Sequence, residues 1–407
     1  MEVFFLNSIG IDVSKGKSMV AVLRPLGEVV RVPFEVNHTV KELTALIKDL
    51  KSLSGDSKVF MECTGSYHLP IANALTSAGF KVHTLNAMLI KNFGNNSIRK
   101  VKTDKADALK IANYGLAYWN DVTVYSIDDD IRIKLKSFNR QYSKYIKLRT
   151  AMSNNFTSLI DLSFPGVNTL FSSPERKSDG HKKWIDFSLR YWHCDCVAAM
   201  SLNAFISSYQ AWCKVHKYNY SHSKAEEIHQ FARQCCPVIP KDEETKFLIC
   251  TAAKELNTLT EATNSIAVKA LELASQLPEY PVVAKMYGVG DITAFQLIAE
   301  IGNIYRFPRK TSLVSYAGLD TEPNDSGIVK HNSNEITKKG SPYLRRTLFL
   351  VMSNILMLAP SDEPIYRFLD RKRSEGKHYY TYLCAGAAKF LRIYYARVKE
   401  YLDKHSS

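Results

Sequence analysis

Four acidic residues stand at positions where a carboxylate is costly or unusually placed. Asp12 lies within an apolar strand pattern, Glu62 ends another, and Asp104 and Asp107 are three apart in VKTDKADALKIANY. That last spacing puts both on one face of a helix. An acid inside a strand pattern needs compensation. Hard cations such as Mg²⁺ take oxygen ligands and keep waters for substrate phosphates, and two such ions clamp the attacking and leaving oxygens of a phosphoryl displacement. Taken singly, each acid reads as a cap or a solvated surface group. Their order, followed by the basic run Arg99, Lys100, Lys102 and Lys105, favours a Mg²⁺ site that handles nucleic acid.

A second constellation opens with MYGVGDITAFQLIAEIG, residues 286–302, where Gly288 and Gly290 flank a tight turn before a helix. Such a helix-hairpin-helix-like element exposes backbone N–H groups that bind phosphate without reading sequence. Further on, Ser326 and Gly327 lie in a polar loop, followed by Lys330, Lys338, Lys339, Arg345 and Arg346. A serine beside a glycine presents its hydroxyl with little obstruction, and cations around it would stabilise an alkoxide and a pentacovalent phosphate. The bland alternative is a turn serine. GIDVSKGKS near the start superficially matches a nucleotide-binding loop, but Gly10 to Gly16 is one residue too long. No second phosphate loop supports an actin-like ATPase.

Elements must hold these groups. Ile9–Val13 and Met19–Arg24 read as a hairpin, Val40–Leu50 as a helix, and Val59–Cys63 as a strand. Leu69–Ala78 reads as a helix ending at Gly79, and Phe80–Leu85 as a strand, so residues 1–125 form a mixed α/β sheet domain. Residues 126–162 and 247–280 carry coiled-coil spacing. The expected seams run through Ile131, Leu135, Phe138, Tyr142, Tyr145, Met152, Phe156 and Leu159, and through Ala252, Leu256, Leu259, Thr263, Ile266, Ala270, Leu273 and Leu277, with Arg149 a polar intruder. An internal antiparallel pair and a homo-oligomer interface, dimer or tetramer, are both open readings. Residues 163–246 form an insertion, and residues 281–407 a mostly α-helical C-terminal domain.

The chain has 407 residues, more than one core usually organises, and its 45% hydrophobic share excludes global disorder. A net charge of +14 points to a polyanionic partner, because each cation set against a phosphate releases counterions. Residues 330–407 hold fifteen Lys and Arg against seven Asp and Glu, so the surplus is clustered. The longest apolar stretch, Leu348–Ala359, is interrupted by Ser353 and Asn354 and is too short to cross a bilayer. With no basic lead-in or cleavage site, a cytoplasmic protein is expected. Eight irregularly spaced cysteines make no disulfide framework. The insertion's ten His and Cys residues, between His181 and Cys236, match no strong zinc spacing. Reduced core or surface residues are expected there, with contact to RNA or a partner chain preferred over zinc.

These motifs together resemble the IS110 family of transposases, the DEDD recombinases of insertion sequences. The resemblance rests on GIDVSK at 10–15, MECTGSY at 61–67, KTDKADA at 102–108, the GVG turn, RF at 306–307, YAGL at 316–319, SG at 326–327, ITKKG at 336–340 and LRR at 344–346. It implies a RuvC-like, RNase H-type fold for the first domain, with Asp12, Glu62, Asp104 and Asp107 as its Mg²⁺-binding tetrad. It further implies a C-terminal serine transposase domain with Ser326 as nucleophile, acting through a covalent serine–DNA intermediate. DNA, both element ends and target, and a structured guide RNA would be the partners. Two alternatives remain: a RuvC-like junction nuclease that uses water, and a non-catalytic basic nucleic-acid-binding protein.

Overall fold

The computed structural model describes residues 5–63, 65–93, 103–121, 124–125, 129–321, 325–326, 329–330 and 335–405. The chain divides into two compact units, Met1–Asp128 and Asp129–Ser407.

In the first unit, β1 (Leu6–Ser14) and β2 (Lys17–Leu23) form an antiparallel hairpin whose two-residue turn holds Gly16 at φ +78°. Glycine is suited to that left-handed position. β3 (Val29–Asn37) pairs antiparallel with β2, while β4 (Asp56–Glu62) lies parallel to β1 and β5 (Lys81–Leu85) parallel to β4. The sheet order is β3-β2-β1-β4-β5. Parallel neighbours need crossover connections. These are α1 (Val40–Lys51) and α2 (Leu69–Ser77), and α3 (Ala87–Asn92) and α4 (Asp104–Ala117) follow β5. The strand period of two then sorts the faces. Ile9, Ile11, Val59 and Met61 pack with Leu46, Leu50, Ile71 and Leu75. Phe60, between Val59 and Met61, joins Ile111 and Tyr114 of α4 in a separate cluster.

The expected elements of this unit all form, but β3 is an addition to them. Its sequence VVRVPFEVN contains Pro33, which reads against a strand interior. The structure places β3 at the sheet edge, and Pro33 at an irregularity: Val20 pairs with Phe34 and Val22 with Arg31. Two residues of β3, Val32 and Pro33, therefore oppose Ala21 alone, as in a β-bulge.

The second unit is mostly helical. Its axis is a pair of long helices, α5 (Asp130–Ser163) and α10 (Glu243–Ser275), which pack on each other. They run antiparallel. Leu135 of α5 shares one apolar cluster with Ala270 and Ala274 of α10, while Phe156 and Ile160 share another with Ile249, Ala253 and Leu256. The α10 face differs from the expected heptad seam: Ile249, Ala253 and Thr260 are buried, whereas Ala252 and Leu259 are only partly so. α10 meets α6 and α12 as well as α5, and several neighbours pull its apolar stripe away from a two-helix seam.

Between the two long helices, α6 (Lys183–Arg190), α7 (Asp195–Ala198), α8 (Leu202–Val215) and α9 (His222–Gln234) close around Trp184, Phe187, Phe205, Tyr209 and Trp212. The C-terminal part comprises α11 (Tyr280–Ala284), α12 (Asp291–Ile301), α13 (Lys310–Tyr316), the two-residue strands β6 (Asp325–Ser326) and β7 (Val329–Lys330), α14 (Pro342–Leu358), α15 (Pro364–Ser374) and α16 (Tyr379–His405). Arg132 of α5 forms a buried ion pair with Glu279, just before α11. Among the described residues, no helix is long and apolar enough to cross a membrane.

Candidate active site

Strand register brings Asp12 and Glu62 together. Ile11 pairs with Met61 in the parallel β1–β4 ladder, so the next residues along stand side by side at the carboxyl ends of adjacent strands. By alternation both project to the face that carries Gly10 and Phe60. α4 lies directly on that face. A Cβ on Gly10 would stand 2.2 Å from the Ala108 carbonyl oxygen and 2.4 Å from the Ala112 nitrogen, and Ser8 Oγ donates to the Ala112 carbonyl at 2.7 Å. As β1 runs from Ser8 to Gly10, its contacts move from Ala112 back to Ala108. Asp107 is one residue further back and Asp104 one helical turn further back, towards Asp12.

The sequence TDKAD starts α4 where it does. Thr103 Oγ1 accepts the Ala106 N–H at 3.2 Å, a side-chain cap, and Asp104 and Asp107 fall in the first turn. Acidic groups are favoured there by the helix dipole. Asp104 is exposed, and Asp12, Glu62 and Asp107 are half-buried. The Lys17 ammonium is held above its usual range first by its hydrogen bond to Glu35 and by the charge of Glu35, and the charge of Asp104 adds to this. The four acids thus share one sheet face and offer only hard oxygen donors, a set that fits Mg²⁺. They do not close into a tight group: among the described residues, the ligand atoms that lie within 4.8 Å of one another as a threesome are those of His193, Cys194 and Asp195. Lys105 is exposed beside the acids on α4, while Arg99, Lys100 and Lys102 lie outside the described residues.

Ser326 belongs to the second unit. In the β6–β7 pairing Ser326 is opposite Val329 and Asp325 opposite Lys330. The side chains of Ser326 and Lys330 lie outside what the structure describes. The segments on either side of this pair, the root of the hairpin, are joined to one another. Residues 316–321 and 336–341 run antiparallel: the N–H groups of Ser341, Lys338 and Thr337 donate to the carbonyls of Tyr316, Gly318 and Asp320 at 2.8, 3.1 and 2.8 Å, and Thr321 bridges Ile336. Gly340 permits this closeness, since a Cβ there would stand 2.2 Å from the Tyr316 oxygen.

The cations expected around the serine divide into two groups. Lys338, Lys339 and Arg346 are exposed, and Lys338 sits at φ +55°, a left-handed backbone rarely taken by lysine. Arg345 is committed instead to the root, donating through Nη1 to the Ala317 carbonyl at 2.8 Å. Glu300, fully buried, ties the same region to α5: it accepts from Asn139 at 2.9 Å, from Arg140 at 2.8 and 2.9 Å, and from Ser341 Oγ, the cap of α14, at 2.9 Å. The sequence reading missed Glu300, although one acid inside the apolar run AFQLIAEIG was a visible signal.

The Gly-x-Gly turn departs from expectation. A Cβ on Gly288 would stand 2.5 Å from Ile355 and 2.8 Å from the Val351 carbonyl, so this glycine serves close packing on α14. The Gly290 N–H, expected to meet phosphate, donates to Thr293 Oγ1 at 2.9 Å within the α12 cap. In the insertion every cysteine is a free thiol. His193 uses Nε2 on the Ile239 carbonyl at 3.0 Å and Nδ1 on the Asp195 N–H at 3.1 Å, and burial pushes the Cys194 thiol up to about 11. With both ring nitrogens engaged, buried His193 and Cys194 belong to the core, while Asp195 is exposed.

Comparison with known proteins gives the following. A model of the IS110 DEDD transposase domain matches residues 9–165, and a model described as transposase IS116/IS110/IS902 family matches residues 280–367, together more than half of the chain. An insertion element IS110 protein of 43.6 kDa from Streptomyces coelicolor is 21% identical over 392 residues, covering 96% of this chain and 94% of its own. A pilin gene-inverting protein of Moraxella bovis is 23% identical over 361 residues, covering 88% and 85%. Among solved structures, T. thermophilus RuvC in complex with a Holliday junction substrate aligns with 30% of this chain and 100% of its own at 14% identity, with a TM-score of 0.23.

Proposed function

This chain belongs to the IS110 family of insertion-element transposases, and from that premise we propose that it cuts and rejoins DNA with Asp12, Glu62, Asp104, Asp107 and Ser326. The observation that carries this reading is the seating of α4 on Gly10, which puts the two helix acids on the same sheet face as Asp12 and Glu62. A three-strand meander followed by two parallel strands is also the layout of an RNase H-type, RuvC-like sheet.

Asp12, Glu62, Asp104 and Asp107 would hold Mg²⁺, which when bound supplies Lewis-acid polarisation of the phosphate oxygens. Ser326 Oγ attacks a backbone phosphorus: the Oγ–P bond forms, one P–O ester bond to the DNA breaks, and the serine proton passes to solvent while the departing oxygen takes one up. The resulting serine–DNA ester keeps the bond energy, so the reverse attack by a strand end rejoins DNA. Lys338, Lys339 and Arg346 face the phosphate charge. Arg345 acts as a positioning residue, holding the hairpin root. The positive surplus suits element ends, target DNA and a structured guide RNA.

The test is adduct formation on a labelled element-end duplex with Mg²⁺. Wild type should give a protein–DNA species that survives denaturation, and Ser326→Ala should give none. Continued cutting by Ser326→Ala at the wild-type rate would instead identify a nuclease that uses water.

A further inference from the structure

The loop between α15 and α16 has no part in the chemistry above, and it lies beyond residue 367, where the family match ends. The aromatic side chains at its end and in the first turn of α16 are unusually open. Tyr379 is 42% and Tyr380 61% exposed, and His378 is exposed beside them. They are ordered against one another: His378 and Tyr380 have centroids 6.0 Å apart at 33°, and Tyr379 and Tyr380 5.3 Å apart at 77°. Buried Tyr382 braces Tyr379 edge-on at 5.5 Å and 81°. Rings held in place but uncovered mark a contact surface.

The surroundings are cationic. From Asp370 to Lys377 there are four Lys and Arg against two acids, and from Gly376 to Lys399 there is no acid at all. The two acids are already taken, Asp370 by Arg373 at 2.6 Å, and Glu375 by Lys372 at 2.6 Å and Arg371 at 3.7 Å. Lys377 is left as surplus charge at the foot of the rings. A positively charged patch studded with open aromatic faces is the chemistry that takes unpaired nucleotides, the bases stacking on rings while the cations follow the backbone. A duplex keeps its base faces covered and could use only the cations.

We propose that His378, Tyr379 and Tyr380, with Lys377, form a stacking platform for single-stranded nucleic acid. This rests on reading the chain as a nucleic-acid enzyme, but not on Ser326 or the four carboxylates being catalytic.

The experiment uses the full chain and fluorescein-labelled probes of equal length: a dT oligonucleotide, an rU oligonucleotide and a random-sequence duplex, followed by anisotropy without Mg²⁺. The double variant Tyr379→Ala/Tyr380→Ala should bind single strands about fivefold to a hundredfold more weakly, the range for losing one stacked base, and duplex as before. Tyr379→Phe/Tyr380→Phe should bind like wild type. Weakening confined to dT assigns the platform to DNA, and to rU, to RNA. Should the double Ala variant lose its thermal transition, Tyr380→Ala alone, at the more exposed ring, carries the same test. Single-strand binding unchanged by Ala, or equal losses on single strand and duplex, overturns the proposal. Failure of the serine adduct assay would leave these binding results standing, so the two readings fail separately.

Discussion

Gly10 of β1 and Ala108 of α4 touch backbone to backbone, so closely that a methyl group on the glycine would stand 2.2 Å from the alanine oxygen. The contact joins the strand that bears Asp12 to the helix that bears Asp104 and Asp107. Backbone atoms cannot swing aside as a side chain can. Gly10→Ala should therefore lift α4 from the sheet and destabilise the first unit by about 1–3 kcal/mol, the usual cost of overpacking. Thermal denaturation reads the first effect, and a Mg²⁺ titration of strand cleavage, shifted to higher concentration, reads the displaced acids.

Asp12→Asn and Glu62→Gln keep size and shape while removing charge. Each should abolish detectable strand cleavage with little change in melting temperature, since both side chains are only half-buried. A drop in duplex affinity matching the loss of cleavage would show that these acids support binding or folding instead.

Glu300 joins α12 to α5 and to the cap of α14 through four hydrogen bonds. Glu300→Ala leaves buried Asn139 and half-exposed Arg140 without their acceptor. The cost should be about 3 kcal/mol, the low end for breaking a buried pair because Arg140 still reaches water. Urea midpoints measure it, and serine adduct yield should fall with it because Ser341 at the hairpin root loses its anchor.

Lys338 combines a left-handed backbone with an exposed charge. Lys338→Gly should raise stability by about 0.5–1 kcal/mol through relief of that conformation, yet weaken DNA binding and lower the salt slope by about one. Lys338→Ala should lose the same affinity without the gain. The paired comparison separates backbone from charge.

His38 is held below its usual 6.5 by burial, with Nε2 against Ser18 Oγ at 2.8 Å under the β1–β2 turn. The unfolded chain takes up this proton at a higher pH than the folded one. Stability of the first unit is therefore full above pH 6.5 and declines as pH falls through it. His38→Gln should flatten that decline in a series of melting curves between pH 7.5 and about 5.

Much of the first unit was legible because each element carries its own period: the hairpin, α1, β4, α2 and β5 depend on nearby residues. β3 was hidden by Pro33, whose meaning depends on the strand being at an edge. The convergence of Asp12 with Glu62 depends on the β1–β4 register, a pairing of residues some fifty positions apart that no local pattern encodes. Gly10 had a signal, being the one residue without a side chain in an apolar strand, but not what lay above it. In α10 the apolar stripe was visible and its orientation was not, because several partners rather than one decide which residues are covered. The ladder of residues 316–321 with 336–341 likewise joins segments separated by a polar loop.

The bulge at Pro33 also bears on how the protein behaves when concentrated. An outer strand with continuous free amides invites a neighbouring molecule to zip onto it, the route by which many sheet proteins precipitate. Here one amide is missing and the spacing of the others is broken by the two-against-one step at Ala21. On the far side, the Tyr125 amide already occupies the Val82 carbonyl of β5 at 2.7 Å. Neither border of the sheet is left as a template, so overproduction should yield loss by collapse of unfolded chain and not by growth of strand-linked fibres.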